Sequence, residues 1–219
     1  MTEILRIPPS TGRPPLQARF TAGEGRELAI VLPGLRYGCD RPLLHGTAAL
    51  FERTGCDAAR LAFDYAEDEA FLCAPDAEQF AGIAADGRDV VAHLSAMRPY
   101  ERVWLIGKSL GTLSMGAALS AGLCAPERTR AIWLTPSLLG TPLLSWMRDW
   151  PGRGFAVLGT EDPSSRQELR EALGRQPGLT LHMVTGADHG FDHVEGDEAA
   201  QRAVAEAIDA VREWREREL

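Results

Sequence analysis

The chain lacks the long apolar runs, the paired cysteines and the excess of positive charge that mark several large classes of protein. No uninterrupted apolar stretch approaches the ~20 residues that a membrane-spanning helix requires, so no span is expected. The opening residues, Met1-Thr2-Glu3-Ile4-Leu5-Arg6, do not join a basic segment to an apolar one, which speaks against a secretory leader. Four cysteines, Cys39, Cys56, Cys73 and Cys124, stand far apart with no CxxC pair. They read as reduced thiols of a cytoplasmic protein rather than as a disulfide framework. The five histidines show no ligand spacing with them, so no metal site is expected. With 23 basic against 31 acidic residues the net charge is −8, which argues against nucleic acid and against anionic membrane surfaces as partners. Internal repeats and low-complexity linkers are absent as well.

What is present is ordinary for a folded, water-facing chain. Hydrophobic residues make up 45% and charged residues 25% of 219, enough for one domain over residues 1–219 with a substantial core. The rhythm along it is strand, then helix. Apolar runs at 27–32, 59–63, 102–106, 131–134, 154–158 and 179–184 read as strands. Helix patterns lie between several of them. One opens near Asp40, read as an N-cap, with Leu43, Leu44, Thr47 and Phe51 on one face and Gly55 as terminator. A second spans 76–97, a third follows the strand at 102–106 and is rich in small residues, and an amphipathic helix closes the chain. Near-continuous apolar strands alternating with helices predict an α/β fold, a mostly parallel sheet covered on both faces. Two further pieces, at 3–7 and 16–21, are expected to add an antiparallel edge.

The strand at 102–106 runs into Gly107-Lys108-Ser109-Leu110-Gly111, a G-x-S-x-G pattern at a strand-to-helix junction. A tight turn there forces the serine into a strained backbone conformation with its hydroxyl facing out, and flanking glycines relieve the crowding. The same turn leaves the Leu110 amide at a helix N-terminus, able to stabilise an oxyanion. Gly107-Lys108-Ser109 also matches the end of a phosphate-binding loop, G-x-x-x-x-G-K-[ST]. That loop requires glycine at 102, where Arg102 stands, and the intervening Val103-Trp104-Leu105-Ile106 is strand-like, which excludes nucleotide binding at this site.

A serine hydroxyl needs a base, and the base needs a group that fixes its tautomer. In a parallel sheet such groups sit on loops at the carboxyl ends of strands. After the strand at 154–158 comes Gly159-Thr160-Glu161-Asp162-Pro163, and after the strand at 179–184 comes Thr185-Gly186-Ala187-Asp188-His189-Gly190-Phe191. Ser109, Asp162 and His189 are therefore candidate nucleophile, acid and base. Glu161 is the neighbour that competes with Asp162. Asp188 reads as a loop or surface group, and His193 as a weaker base at the rim.

Leu32-Pro33-Gly34-Leu35, GKSLG, GTEDP and GADHGF, each at a strand end and in this order, resemble the α/β-hydrolase fold family, in particular its small, capless, esterase-like and dienelactone-hydrolase-like members. The resemblance covers nearly the whole chain. It implies a Ser109/His189/Asp162 triad, an oxyanion hole from the Leu35 and Leu110 amides, an acyl-enzyme intermediate, and no organic cofactor. The usual histidine of the early motif is replaced by Pro33, which leaves the backbone donor in place. Dienelactone hydrolases usually carry cysteine where this chain has Ser109. Only the 19 residues 135–153 separate the strands where lids are usually inserted, so no large cap is expected. This apolar segment, with Trp146 and Trp150, reads as a pocket wall or a docking surface.

The expected activity is hydrolysis of a small ester or thioester. Short-peptide or lactone hydrolysis is the alternative within enzymes, and a hydrolase-like binding protein the alternative outside them. Arg36, Tyr37, Lys108 and Trp146 are candidate substrate contacts, with Asp64-Tyr65 and Cys39 further out and His45 and His93 on helix surfaces. The oligomeric state is left open.

Overall fold

A strand with an apolar side chain at every position must be covered on both faces, because successive side chains point to opposite sides. The computed structural model, which describes residues 2–219, meets that requirement with one eight-stranded sheet between two helical layers. In chain order the strands are β1 (Thr2–Ile7), β2 (Leu16–Thr21), β3 (Glu27–Leu32), β4 (Asp57–Ala62), β5 (Arg102–Lys108), β6 (Thr129–Leu134), β7 (Arg153–Gly159) and β8 (Leu179–Val184). The helices are α1 (Pro42–Arg53), α2 (Glu69–Cys73), α3 (Asp76–Ser95), α4 (Leu110–Ser120), α5 (Leu143–Asp149), α6 (Gln167–Gly174) and α7 (Asp197–Arg217). The spatial order is β1-β2-β4-β3-β5-β6-β7-β8. β1 and β2 are the antiparallel edge, and β4 through β8 run parallel.

β3 shows how the two layers are assigned. Leu28, Ile30 and Leu32 join a core with Val90 and Leu94 of α3, Leu113 of α4 and Met147 of α5. Ala29 and Val31 join the opposite core with Leu44 and Phe51 of α1 and Val211 and Trp214 of α7. One strand thus feeds two cores with alternate residues, and the five positions after the half-buried Glu27 are all buried.

Three details differ from the sequence reading, and the short segment between β6 and β7 agrees with it. Asp40 is not the cap of α1. Pro42 takes the first helical position and holds Arg41 extended, at φ −72° and ψ 148°, so Arg41 occupies the cap position and Asp40 falls one residue early. Asp40 instead pairs with Arg19 of β2 at 2.5 Å, and the Leu43 amide donates to the Tyr37 hydroxyl at 3.1 Å. α3 stops at Ser95, leaving Met97 outside it. α2 and α6, with the 3₁₀ turn Pro163–Ser165, are short elements that periodicity did not mark. Between β6 and β7 the chain builds only α5, whose Leu143 and Met147 are buried against the core, so no cap domain covers the carboxyl ends of the strands.

Candidate active site

Ser109, Asp162 and His189 lie on the loops that follow β5, β7 and β8, at one end of the parallel strands. Ser109 is the single residue between the end of β5 and the start of α4, with φ 50° and ψ −118°. For a side-chain-bearing residue that is a strained conformation, maintained by its surroundings. A Cβ on Gly111 would sit 2.2 Å from the Leu32 carbonyl oxygen, and one on Gly107 would sit 2.7 Å from the Gly111 carbonyl oxygen. No other residue fits at either place, which is the physical content of the two glycines in the pattern. The Ser109 amide donates to the Leu134 carbonyl at 3.0 Å, so the sheet continues up to the turn itself. Among the described residues, two other non-glycine residues have positive φ, Thr135 at 43° and Phe191 at 64°, and both lie on neighbouring loops at this same end.

Asp162 follows β7. Its carboxylate is fully buried and bonded at both oxygens. Oδ1 accepts the Ser164 amide at 2.7 Å, and Oδ2 accepts His189 Nδ1–H at 2.8 Å. His189 lies on the β8–α7 loop with its ring 37% exposed, and its Nε2 accepts the Ser109 hydroxyl at 2.8 Å. Donation from Nδ1 leaves the Nε2 lone pair facing the serine, so one tautomer satisfies both bonds. The arrangement can take a proton from Ser109 Oγ and hold the resulting imidazolium against a buried carboxylate.

The competing readings separate cleanly. Glu161 is exposed and accepts from its neighbour Thr160. Asp188 accepts the Asp192 amide at 2.9 Å within its own loop. His193 accepts the Glu195 amide at 3.1 Å and lies against Gly186, locked into loop backbone. Tyr65 is buried and donates to Asp86 at 2.6 Å. Cys39 is buried, with Sγ 3.3 Å from the Leu61 carbonyl.

Leu35 and Leu110 flank the serine. A Cβ on Gly34, the residue before Leu35, would be 3.3 Å from Ser109 Cβ, so the early turn rests on the elbow. The turn is closed by paired Gly34 and Tyr37 backbone bonds of 3.0 and 3.3 Å, which leave the Leu35 amide at its apex. Leu110 begins α4, where the first amides have no intrahelical acceptor.

Two of the proposed substrate contacts, Lys108 and Trp146, point elsewhere, while Tyr37 is largely buried but borders the cleft beside Leu35. Lys108 is 1% exposed, and its ammonium donates to the His189 carbonyl at 2.8 Å and to Thr135 Oγ1 at 3.2 Å. Its neighbour Ser109 faces out of the turn, so Lys108 is turned in. Tyr37 is buried, with its hydroxyl accepting from α1 and its ring between the Lys108 and Arg41 cations. Trp146 packs on α4, its ring 3.1 Å from the place a Gly116 Cβ would occupy. Arg36 alone is exposed.

Residues that sequence reasoning missed line the space at the triad. A cavity of about 250 Å³ is bounded by Ser137, Leu139, Asp162, Pro163, Ser164 and His189. Ser137 Oγ is 3.5 Å from Ser109 Oγ. Its signal was its place just beyond the carboxyl end of β6, at the start of the 135–153 segment read as a pocket wall or docking surface. A larger cleft of about 370 Å³ opens on the other side of the early turn, bounded by Leu35, Arg36, Arg19, Arg60 and Phe63. Among the described residues, no helix is long and apolar enough to cross a membrane, and no three His, Cys, Asp or Glu side chains are grouped to hold a metal ion.

No protein-family model matches the chain, and no curated protein matches it. Solved structures do. Est1E from Butyrivibrio proteoclasticus, solved with ferulic acid bound, aligns with TM-score 0.75 at 14% identity over 98% of each chain. An α/β serine hydrolase without a lid from Xanthomonas campestris aligns with TM-score 0.71 at 19% identity, covering 97% of this chain and 92% of that one. An esterase from Pyrococcus furiosus aligns with TM-score 0.69 at 15% identity, covering 99% of this chain and 92% of that one.

Proposed function

Given that the chain adopts the α/β-hydrolase fold, we propose that it is a serine hydrolase of small esters or thioesters. One observation carries the reading: two 2.8 Å hydrogen bonds link Asp162 to His189 and His189 to Ser109, each residue coming from a different strand end.

The steps follow from these contacts. Ser109 Oγ attacks the acyl carbonyl carbon while His189 Nε2 takes its proton. The carbonyl oxygen becomes an oxyanion held by the Leu35 and Leu110 amides, donors worth roughly 3–4 kcal/mol each where comparable ones have been removed. Asp162 stabilises the imidazolium. The tetrahedral intermediate collapses, the alkoxide or thiolate leaves with the His189 proton, and Ser109 remains acylated. Water then gives a proton to His189 and attacks the acyl carbon, releasing the carboxylic acid and restoring the serine.

The cleft beside Leu35 suits the portion of the substrate farthest from the scissile bond. Arg19 and Arg60, on its wall, are paired with Asp40 and Glu52, which leaves the exposed Arg36 as its free cation among the described residues. Arg36→Gln is expected to lower kcat/KM about fivefold for p-nitrophenyl hemisuccinate, the ~1 kcal/mol of an exposed charge pair, and to leave p-nitrophenyl acetate unchanged. Equal losses on both esters would remove Arg36 from recognition.

The test of the function is covalent. A fluorophosphonate probe should label the protein at Ser109, located by peptide mass, and a panel of esters, thioesters, lactones and aminoacyl amides should rank esters or thioesters first. Absence of both labelling and turnover would refute the enzyme reading. Of the apolar segment that motivated the binding-protein alternative, Trp150 is buried in the core and Trp146 packs half-buried against it.

A further inference from the structure

Lys108 is the only lysine in the chain, and the other 22 of its 23 basic residues are arginine. It is also one of the largest fully buried side chains, one residue before Ser109. An unpaired ammonium in a protein interior is costly, and this one has no carboxylate in direct contact. Its partners are the His189 carbonyl at 2.8 Å, Thr135 Oγ1 at 3.2 Å and the Tyr37 ring, whose centroid is 4.3 Å away. Each partner belongs to a different loop. His189 carries the proposed base. Thr135 is the strained first residue after β6, two before Ser137. Tyr37 closes the turn that presents the Leu35 amide. A compact ammonium with three N–H donors suits two oxygens and a ring face at once, which the flat fork of arginine does not.

We propose that Lys108 is a positioning residue, whose buried ammonium holds the His189 loop, the β6 end and the oxyanion turn in one arrangement around Ser109. The proposal rests on the Ser109 chemistry above and deepens it: the proton on Lys108 becomes a condition for turnover. Burial pushes the ammonium down to about 8, against Asp162, Asp188 and Asp192, which raise it, while Arg41 lowers it further. The Tyr37 phenol facing it is raised by burial and stays neutral across this range. Loss of the proton weakens the bond to the His189 carbonyl and removes the attraction to the ring. The base loop and the oxyanion turn then separate from their common anchor.

The experiment is the pH dependence of kcat and KM for p-nitrophenyl acetate in the wild type, Lys108→Met and Thr135→Val. In the wild type, kcat should fall at alkaline pH with a midpoint near 8, with KM changing less than twofold. Lys108→Met, which keeps the length of the chain without the charge, should lower kcat at pH 7 about tenfold and abolish that alkaline limb. Thr135→Val keeps the shape at position 135 and removes one acceptor from the ammonium, so the limb should move to lower pH with kcat at pH 6 retained. Should Lys108→Met fail to fold, Thr135→Val and the wild-type profile decide. A wild-type kcat that is flat from pH 7 to 10, or a limb that neither substitution moves, overturns the proposal. Wild-type protein without any esterase turnover would instead overturn the function on which it rests.

Discussion

Ser109→Ala lowers kcat for p-nitrophenyl acetate by about 10⁵-fold and abolishes labelling by a fluorophosphonate. The magnitude is that of removing the nucleophile from a Ser-His-Asp set, where the oxyanion donors and binding sustain the residual rate. The structure adds an expectation about stability. Ser109 precedes α4 in the cap position but makes no side-chain bond to the helix, so alanine forfeits no cap. The Ser109 hydroxyl meets only His189 Nε2 and, at 3.5 Å, Ser137 Oγ. The variant should therefore melt within a few degrees of the wild type and keep its far-ultraviolet circular dichroism. A variant that retains more than a tenth of the wild-type kcat would show that another group carries the chemistry.

Asp162→Asn should cost about 10⁴-fold in kcat, with KM little changed. The reason lies in the second oxygen of the carboxylate. The Ser164 amide donates to Oδ1 at 2.7 Å, and an asparagine in the same place would keep its carbonyl oxygen there to accept that bond. Its NH₂ group would then face His189 Nδ1, which must become an acceptor. The imidazole proton moves to Nε2, where it faces Ser109 and no lone pair remains to take the serine proton. The loss should be steepest near neutral pH. Asparagine with wild-type kcat would mean that Asp162 holds the loop and does not set the tautomer.

The middle of the sheet was legible because its strands are apolar at nearly every position. Leu28 to Leu32 admit no solvent-facing side, and that property survives any tertiary arrangement. The triad was legible for a related reason: a strand end is a place as well as a sequence, and Ser109, Asp162 and His189 each follow one. Directions of single side chains were not legible. Lys108 carries a charge, and charge suggests solvent; the elbow sends Ser109 outward and Lys108 inward, an outcome set by the turn and not by residue type. Trp146 was placed at the site as part of the apolar 135–153 segment, yet packing on α4 turned it away, and the Tyr37 hydroxyl is taken by an α1 amide. Asp40 lost its cap to Pro42, a one-residue shift that propensity alone does not resolve. Ser137 was missed because β6 ends in a loop with neither a histidine nor a carboxylate to draw notice.

A single ε-amine, 1% exposed, gives the protein a clock for its own opening. Amine-acylating reagents react with a lysine only when it meets solvent, and here every lysine-derived mass shift reports one position beneath the elbow. Where closing is faster than acylation, the rate of modification at Lys108 relative to a free amine measures the free energy of exposing the active-site floor, in native buffer and without denaturant. A ligand in the acyl site should slow that clock by the factor 1 + [L]/Kd, so compounds added one at a time can be ranked by protection before any product is identified.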